Sequence, residues 1–108
     1  LNFWFIECKP CVMEIPDLNK LVEKYKGKDV VFLGIANNDK AKIQKFLEKQ
    51  PYNYNLVAGD NKVANDYGIM AFPTHIIIDK NATVAFSATG LGPTTLSDID
   101  KLIETMVK

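Results

Sequence analysis

Arginine is absent from all 108 residues, and the 13 lysines are matched by 13 acidic residues. Without a guanidinium fork or an excess of positive charge, the chain is not built to read phosphate backbones or to sit on an anionic membrane. No apolar run approaches the roughly 20 residues that span a bilayer. There is one histidine, His75, and there are two cysteines, Cys8 and Cys11. Three such ligands cannot complete a four-ligand Cys/His zinc site within the chain. Internal repeats, low-complexity tracts and linkers are also missing. What remains is a composition of 47% apolar and 24% charged residues, ordinary for one small domain with a single core.

The two cysteines lie close together, in Cys8-Lys9-Pro10-Cys11. The pair follows the aromatic apolar run Leu1–Ile6, which reads as a central strand. It opens a segment whose apolar residues Cys11/Val12, Ile15, Leu18, Val22 and Tyr25 recur at helical spacing. Two thiols one helical turn apart at a strand-to-helix junction can close a small disulfide ring and reopen it. Cys8 falls at the helix N-terminus, where free N–H groups favour a thiolate. Cys11 falls deeper and more shielded. The expected roles are unequal: Cys8 attacks and Cys11 resolves. As a staple the bridge would gain little, because so short a loop has little closure entropy to remove.

Along the rest of the chain, Pro16 should kink the first helix, since its ring excludes the bond to the Val12 carbonyl. Gly27 is a plausible terminator. Val30–Ala36 reads as a second buried strand. Asn37-Asn38-Asp39 offers caps for a helix from about Lys40 to Lys49, stopped by Pro51. Asn55–Ala58 suits a short strand, and Asp60 or Asn61 can cap a short helix ending near Tyr67-Gly68. Pro73–Asp79 and Thr83–Thr89 read as two strands of a hairpin. A last helix begins at Thr94-Thr95 and carries Leu96, Ile99, Leu102, Ile103 and Met106. The order β-α-β-α-β-α-β-β-α implies an α/β fold: one mixed sheet with helices on both faces.

Phe3-Trp4, Cys8-Lys9-Pro10-Cys11, Glu14, Pro16 and Ala71-Phe72-Pro73-Thr74 resemble thioredoxin-fold proteins. More narrowly, they resemble the TlpA/ResA-like thiol–disulfide oxidoreductases, which are related to the AhpC/TSA families. The resemblance covers nearly the whole chain, including a helix–strand insertion at about Asn37–Ala58. It implies a thioredoxin-like fold and a single domain, 1–108, without the strand or hairpin that family members usually carry first. Leu1 is not an initiator methionine, so an excised fragment is expected, with any signal peptide or membrane anchor outside it. By position, Cys8 resembles the nucleophile, Cys11 the resolving cysteine and Pro73 a cis-proline. Phe72 would offer its backbone to an extended substrate, and Glu14 resembles a buried active-site acid. No cofactor is implied. The implied partners are protein thiols or disulfides and an upstream dithiol donor, with the domain a monomer acting outside the cytoplasm.

Two positions depart from the family. Glu7 stands where tryptophan usually precedes the first cysteine, and its charge should oppose a thiolate while Lys9 favours one. Ala82 stands where the last turn usually has glycine, so Asn81 is expected to take the left-handed conformation there. Other residues carry competing readings. Trp4 is either core or a substrate contact near the active turn. Glu14, three residues after Cys11, is either a solvated helix residue or the group that exchanges a proton with the Cys11 thiol. His75 is either packed on its strand or a third metal ligand with both cysteines, in a copper-chaperone-like domain. A thiol peroxidase would resemble a pattern with threonine where Phe5 stands. Asn81-Ala82-Thr83 matches a glycosylation sequon, a pattern with many chance matches.

Overall fold

The computed structural model describes residues 1–59, 62–90 and 92–107. Its elements are β1 (Asn2–Trp4), α1 (Lys9–Met13), α2 (Ile15–Lys24), β2 (Leu33–Ala36), α3 (Lys40–Leu47), β3 (Asn55–Val57), α4 (Lys62–Asp66), β4 (Thr74–Ile78), β5 (Val84–Thr89) and α5 (Thr95–Met106). The strands form one sheet in the order β3-β2-β1-β4-β5. β1, β2 and β3 run parallel, whereas β4 is antiparallel to both β1 and β5. The expected cap at Asp60 or Asn61 falls outside the described residues.

Every residue of β1 is buried, because both faces of the central strand are covered. Side chains alternate across the sheet. Phe3, Ile35 and Ile76 meet Val63, Ala64 and Ile69 from the α4 region on one side. Trp4 and Ala36 join Cys11, Ile15, Leu18, Ile43, Ile99 and Ile103 on the other, the larger core. Asn2 pairs with Gly34 in β2 and His75 in β4, so these three residues share that larger-core face. A Cβ on Gly34 would lie 2.8 Å from Leu56 and 3.1 Å from the Trp4 indole nitrogen. Glycine is therefore what lets Trp4 lie flat across the sheet.

Three expectations change in detail. The first helix is two helices: α1 ends at Met13, Glu14 is the junction, and Pro16 lies in the first turn of α2, where its missing N–H costs nothing. Strand β2 starts at Leu33 rather than Val30, because its pairing begins at Leu33 with Asn55 and at Gly34 with Asn2. In the β4–β5 turn it is Ala82, not Asn81, that has positive φ, at 63°. The Asp79 carboxylate accepts from the N–H groups of both Asn81 and Thr83, at 2.9 and 3.0 Å. Those two bonds fix the turn and leave Ala82 to make the left-handed step.

An L-residue with a Cβ pays about 1–2 kcal/mol in that conformation, and glycine does not. Ala82→Gly should therefore stabilise the fold by about 1 kcal/mol, read as a higher urea midpoint at unchanged slope. A lower midpoint would contradict the turn geometry.

Candidate active site

Cys8 and Cys11 form a disulfide with their Cα atoms 5.3 Å apart. Cys8 is the N-cap of α1 and Cys11 lies inside it. The Cys11 N–H points at the Cys8 sulfur, 3.3 Å away. That donor would stabilise a thiolate on Cys8 once the bridge is open. Cys8 keeps 7% of its surface exposed and Cys11 keeps none. The two sulfurs thus differ in access and in hydrogen bonding. The turn is held from below by the Cys8 N–H, which donates to the Phe5 carbonyl at 3.1 Å.

The Phe72–Pro73 peptide is cis. Phe72 packs edge-on against Phe5, with ring centroids 5.2 Å apart. This contact joins the loop before β4 to the segment that leads into Cys8. Pro73 is buried, while Met70 in the same loop is 95% exposed and Met13 at the end of α1 is also well exposed.

Glu14 is buried at the α1–α2 junction, 2% exposed. Its side chain caps neither helix. Instead Oε1 lies 2.7 Å from Nε2 of His75, which is 3% exposed. The second oxygen, Oε2, is buried without a hydrogen-bond partner. This excludes the solvated-helix reading of Glu14. It also engages Nε2 of His75 with Glu14 rather than with the cysteines. Among the described residues no group of three His, Cys, Asp or Glu is arranged to hold a metal ion. Close by, the Tyr52 hydroxyl accepts from Asn2 Nδ2 at 2.6 Å. Burial pushes the Tyr52 and Tyr54 phenols far up, and Glu14 pushes in the same direction, so both remain protonated.

Trp4 corrects its substrate-contact reading. It is fully buried, packed against Phe46 and edge-on against Tyr52 at 5.7 and 5.1 Å. Its strand places it under the helices, where no substrate reaches it. Its indole nitrogen finds no hydrogen-bond partner.

Two site residues escape sequence reasoning. Asn38 donates to Glu7 at 3.0 Å and accepts from the Ile6 N–H at 2.8 Å. Lys42 donates to Glu7 at 2.5 Å. The lysine bond comes first among the causes that lower the Glu7 carboxyl to about 2. The charge beside Cys8 is therefore already paired. The unusual glutamate was the available signal, but nothing local identified partners 31 and 35 residues away.

The sequence profile of the AhpC/TSA family matches residues 1–87. The chain belongs to that family. Thiol-disulfide oxidoreductase ResA of Geobacillus kaustophilus is 34% identical over 108 residues, covering 98% of this chain and 61% of that protein. The chain thus spans about three fifths of this relative's length. A putative thiol:disulfide interchange protein DsbE from Chlorobium tepidum superposes with a TM-score of 0.88 at 24% identity, over 99% of this chain and 77% of that one. The thioredoxin domain of a thiol-disulfide oxidoreductase from Bacteroides vulgatus superposes with a TM-score of 0.81 at 24% identity, over 99% and 76%. The fold is thioredoxin-like.

Glu7 is exposed, and its depressed carboxyl reflects hydrogen bonds rather than burial. A lowered folded-state value means that the pair's contribution is present above the ordinary carboxylate range and fades as pH falls towards 2. Lys42→Ala should move the Glu7 midpoint back up towards that range, measured by NMR titration. A midpoint still near 2 would mean that Lys42 is not what holds it.

Proposed function

We propose that this chain is a thiol–disulfide oxidoreductase domain that reduces protein disulfides outside the cytoplasm. The observation that carries the reading is the Cys8–Cys11 disulfide at the start of α1, with Cys8 retaining a little exposed surface and Cys11 none. The ResA and DsbE names of similar proteins support the chemistry. A disulfide-forming pair fits an oxidising compartment. Among the described residues no helix is long and apolar enough to cross a membrane.

In the dithiol form, the Cys8 thiolate attacks a substrate disulfide. The substrate's S–S bond breaks, one of its sulfurs leaves as thiolate, and a mixed disulfide with Cys8 forms. Glu14 takes the proton of the Cys11 thiol. The Cys11 sulfur attacks Cys8, closes the Cys8–Cys11 bond and expels the second substrate thiolate. Two electrons have passed from the cysteine pair to the substrate. A dithiol donor returns them by the reverse sequence, with Glu14 giving its proton back to Cys11. Phe72, next to Pro73, offers backbone groups to an extended substrate segment. Met13 and Met70 supply adaptable apolar contact around it.

Added dithiol should let the domain reduce insulin. Cys8→Ser should abolish turnover, and Cys11→Ser should accumulate mixed disulfides visible as mass adducts. Full turnover by Cys8→Ser would overturn the assignment of roles.

A further inference from the structure

Glu14 and His75 come from elements 61 residues apart in sequence and meet at 2.7 Å in a buried site. A carboxyl oxygen and a ring nitrogen at that distance hold one proton between them. An ionised carboxylate removed from water needs a donor, or it reverts to the acid. His75 Nε2 is the partner that the structure gives Oε1, and Oε2 has none. Asn2 stands opposite His75 and shares its face of the sheet with Trp4, Cys11 lies three residues before Glu14 on α1, and Tyr52 and Tyr54, from the segment leading into β3, feel the Glu14 charge. The two phenols are held protonated. Asn2 and Trp4 do not titrate. Glu14, His75 and the two cysteines are thus the groups here whose chemistry includes proton exchange.

We propose that His75 is a positioning residue for thiol–disulfide exchange. It donates its Nε2 hydrogen to Oε1, holding the Glu14 carboxylate in place and leaving Oε2 free to exchange a proton with Cys11. This rests on Glu14 serving the Cys11 thiol as described above. When Cys11 closes the disulfide, its proton goes to Glu14 Oε2 and its electron pair goes to the new S–S bond. When the disulfide opens, the broken bond's electron pair stays on Cys11 and the proton returns from Glu14. In both directions His75 keeps Nε2 towards Oε1, and no net proton passes through the imidazole. Three of the residues involved bear on this face for a sequence reason. His75 stands opposite Asn2, so its ring points towards the helices, and the break at Glu14 turns the carboxyl inwards to meet it.

The test is the pH titration of the two thiols in the dithiol form, together with the pH profile of exchange. Glu14→Gln removes the nearby charge, so thiol titration should move to lower pH. In His75→Ala the unsupported buried carboxylate holds its proton, and the titration should move in the same direction, by about one unit, or about tenfold in proton affinity. The Glu14→Gln/His75→Ala double variant should match Glu14→Gln alone. His75→Gln keeps an amide N–H within reach of Oε1 and should return the profile towards that of the unaltered protein. A shift in Glu14→Gln with none in His75→Ala overturns the role of His75 and leaves that of Glu14 standing. No shift in Glu14→Gln overturns the reading of Glu14 itself. Should His75→Ala not fold, the imidazole nitrogen resonances of the unaltered protein decide the matter. The proposal requires a proton on Nε2 at the pH of exchange, and a bare Nε2 there contradicts it.

Discussion

The break between α1 and α2 governs the site. A continuous helix from Lys9 to Lys24 would place Glu14 mid-helix, with its side chain following the helical pattern. Pro16 cannot donate to Val12, so the helix stops at Met13 and restarts at Ile15. Glu14 lies between the two with φ −88° and ψ −8°. Its carboxyl is not used to cap either helix and turns towards the sheet. Burying such a group costs several kcal/mol unless it is hydrogen-bonded. The sheet answers with His75, on the strand next to β1. The buried acid thus ends the same short helix that carries the disulfide, three residues after Cys11.

That stacking explains why the two cysteines are not equivalent. Cys8 faces outwards and receives the Cys11 N–H. Cys11 is fully buried in the larger core. In the proposed mechanism, a proton released or taken up by Cys11 is exchanged with the Glu14 carboxyl. Outside, the charge on Glu7 is already paired with Lys42 and Asn38, so the outer sulfur is less exposed to an uncompensated negative charge than the bare sequence suggests. Loops and helix ends carry these contacts, while β1 and β4 supply the rigid floor.

Local features were readable in the sequence, and distant pairings were not. The order of elements, the cysteine pair at a strand–helix junction and the Pro16 interruption all follow from short-range patterns. The α3–β3 unit likewise lies within the expected insertion. Val30–Phe32 misled because an apolar run signals burial, whereas strand assignment needs a paired neighbour. Ala82 misled because two side-chain bonds from Asp79 override the preference of Asn81 for the left-handed region. Trp4 as a surface contact failed for a related reason: alternation puts it on one face of β1, but only the packing of α3 and Tyr52 buries that face. His75 read either as packed on its strand or as a metal ligand with the cysteines. Nothing near it named Glu14, 61 residues earlier.

The account stands or falls on whether the Cys8–Cys11 bridge is a working redox couple or a fixed staple. Equilibration of the folded domain in glutathione buffers of graded ratio, quenched by alkylation and read by mass, tests this directly. The account predicts reversible, two-electron interconversion of dithiol and disulfide, with the same ratio reached from either side and the fold intact throughout. A bridge that resists reduction until the domain is denatured would contradict it.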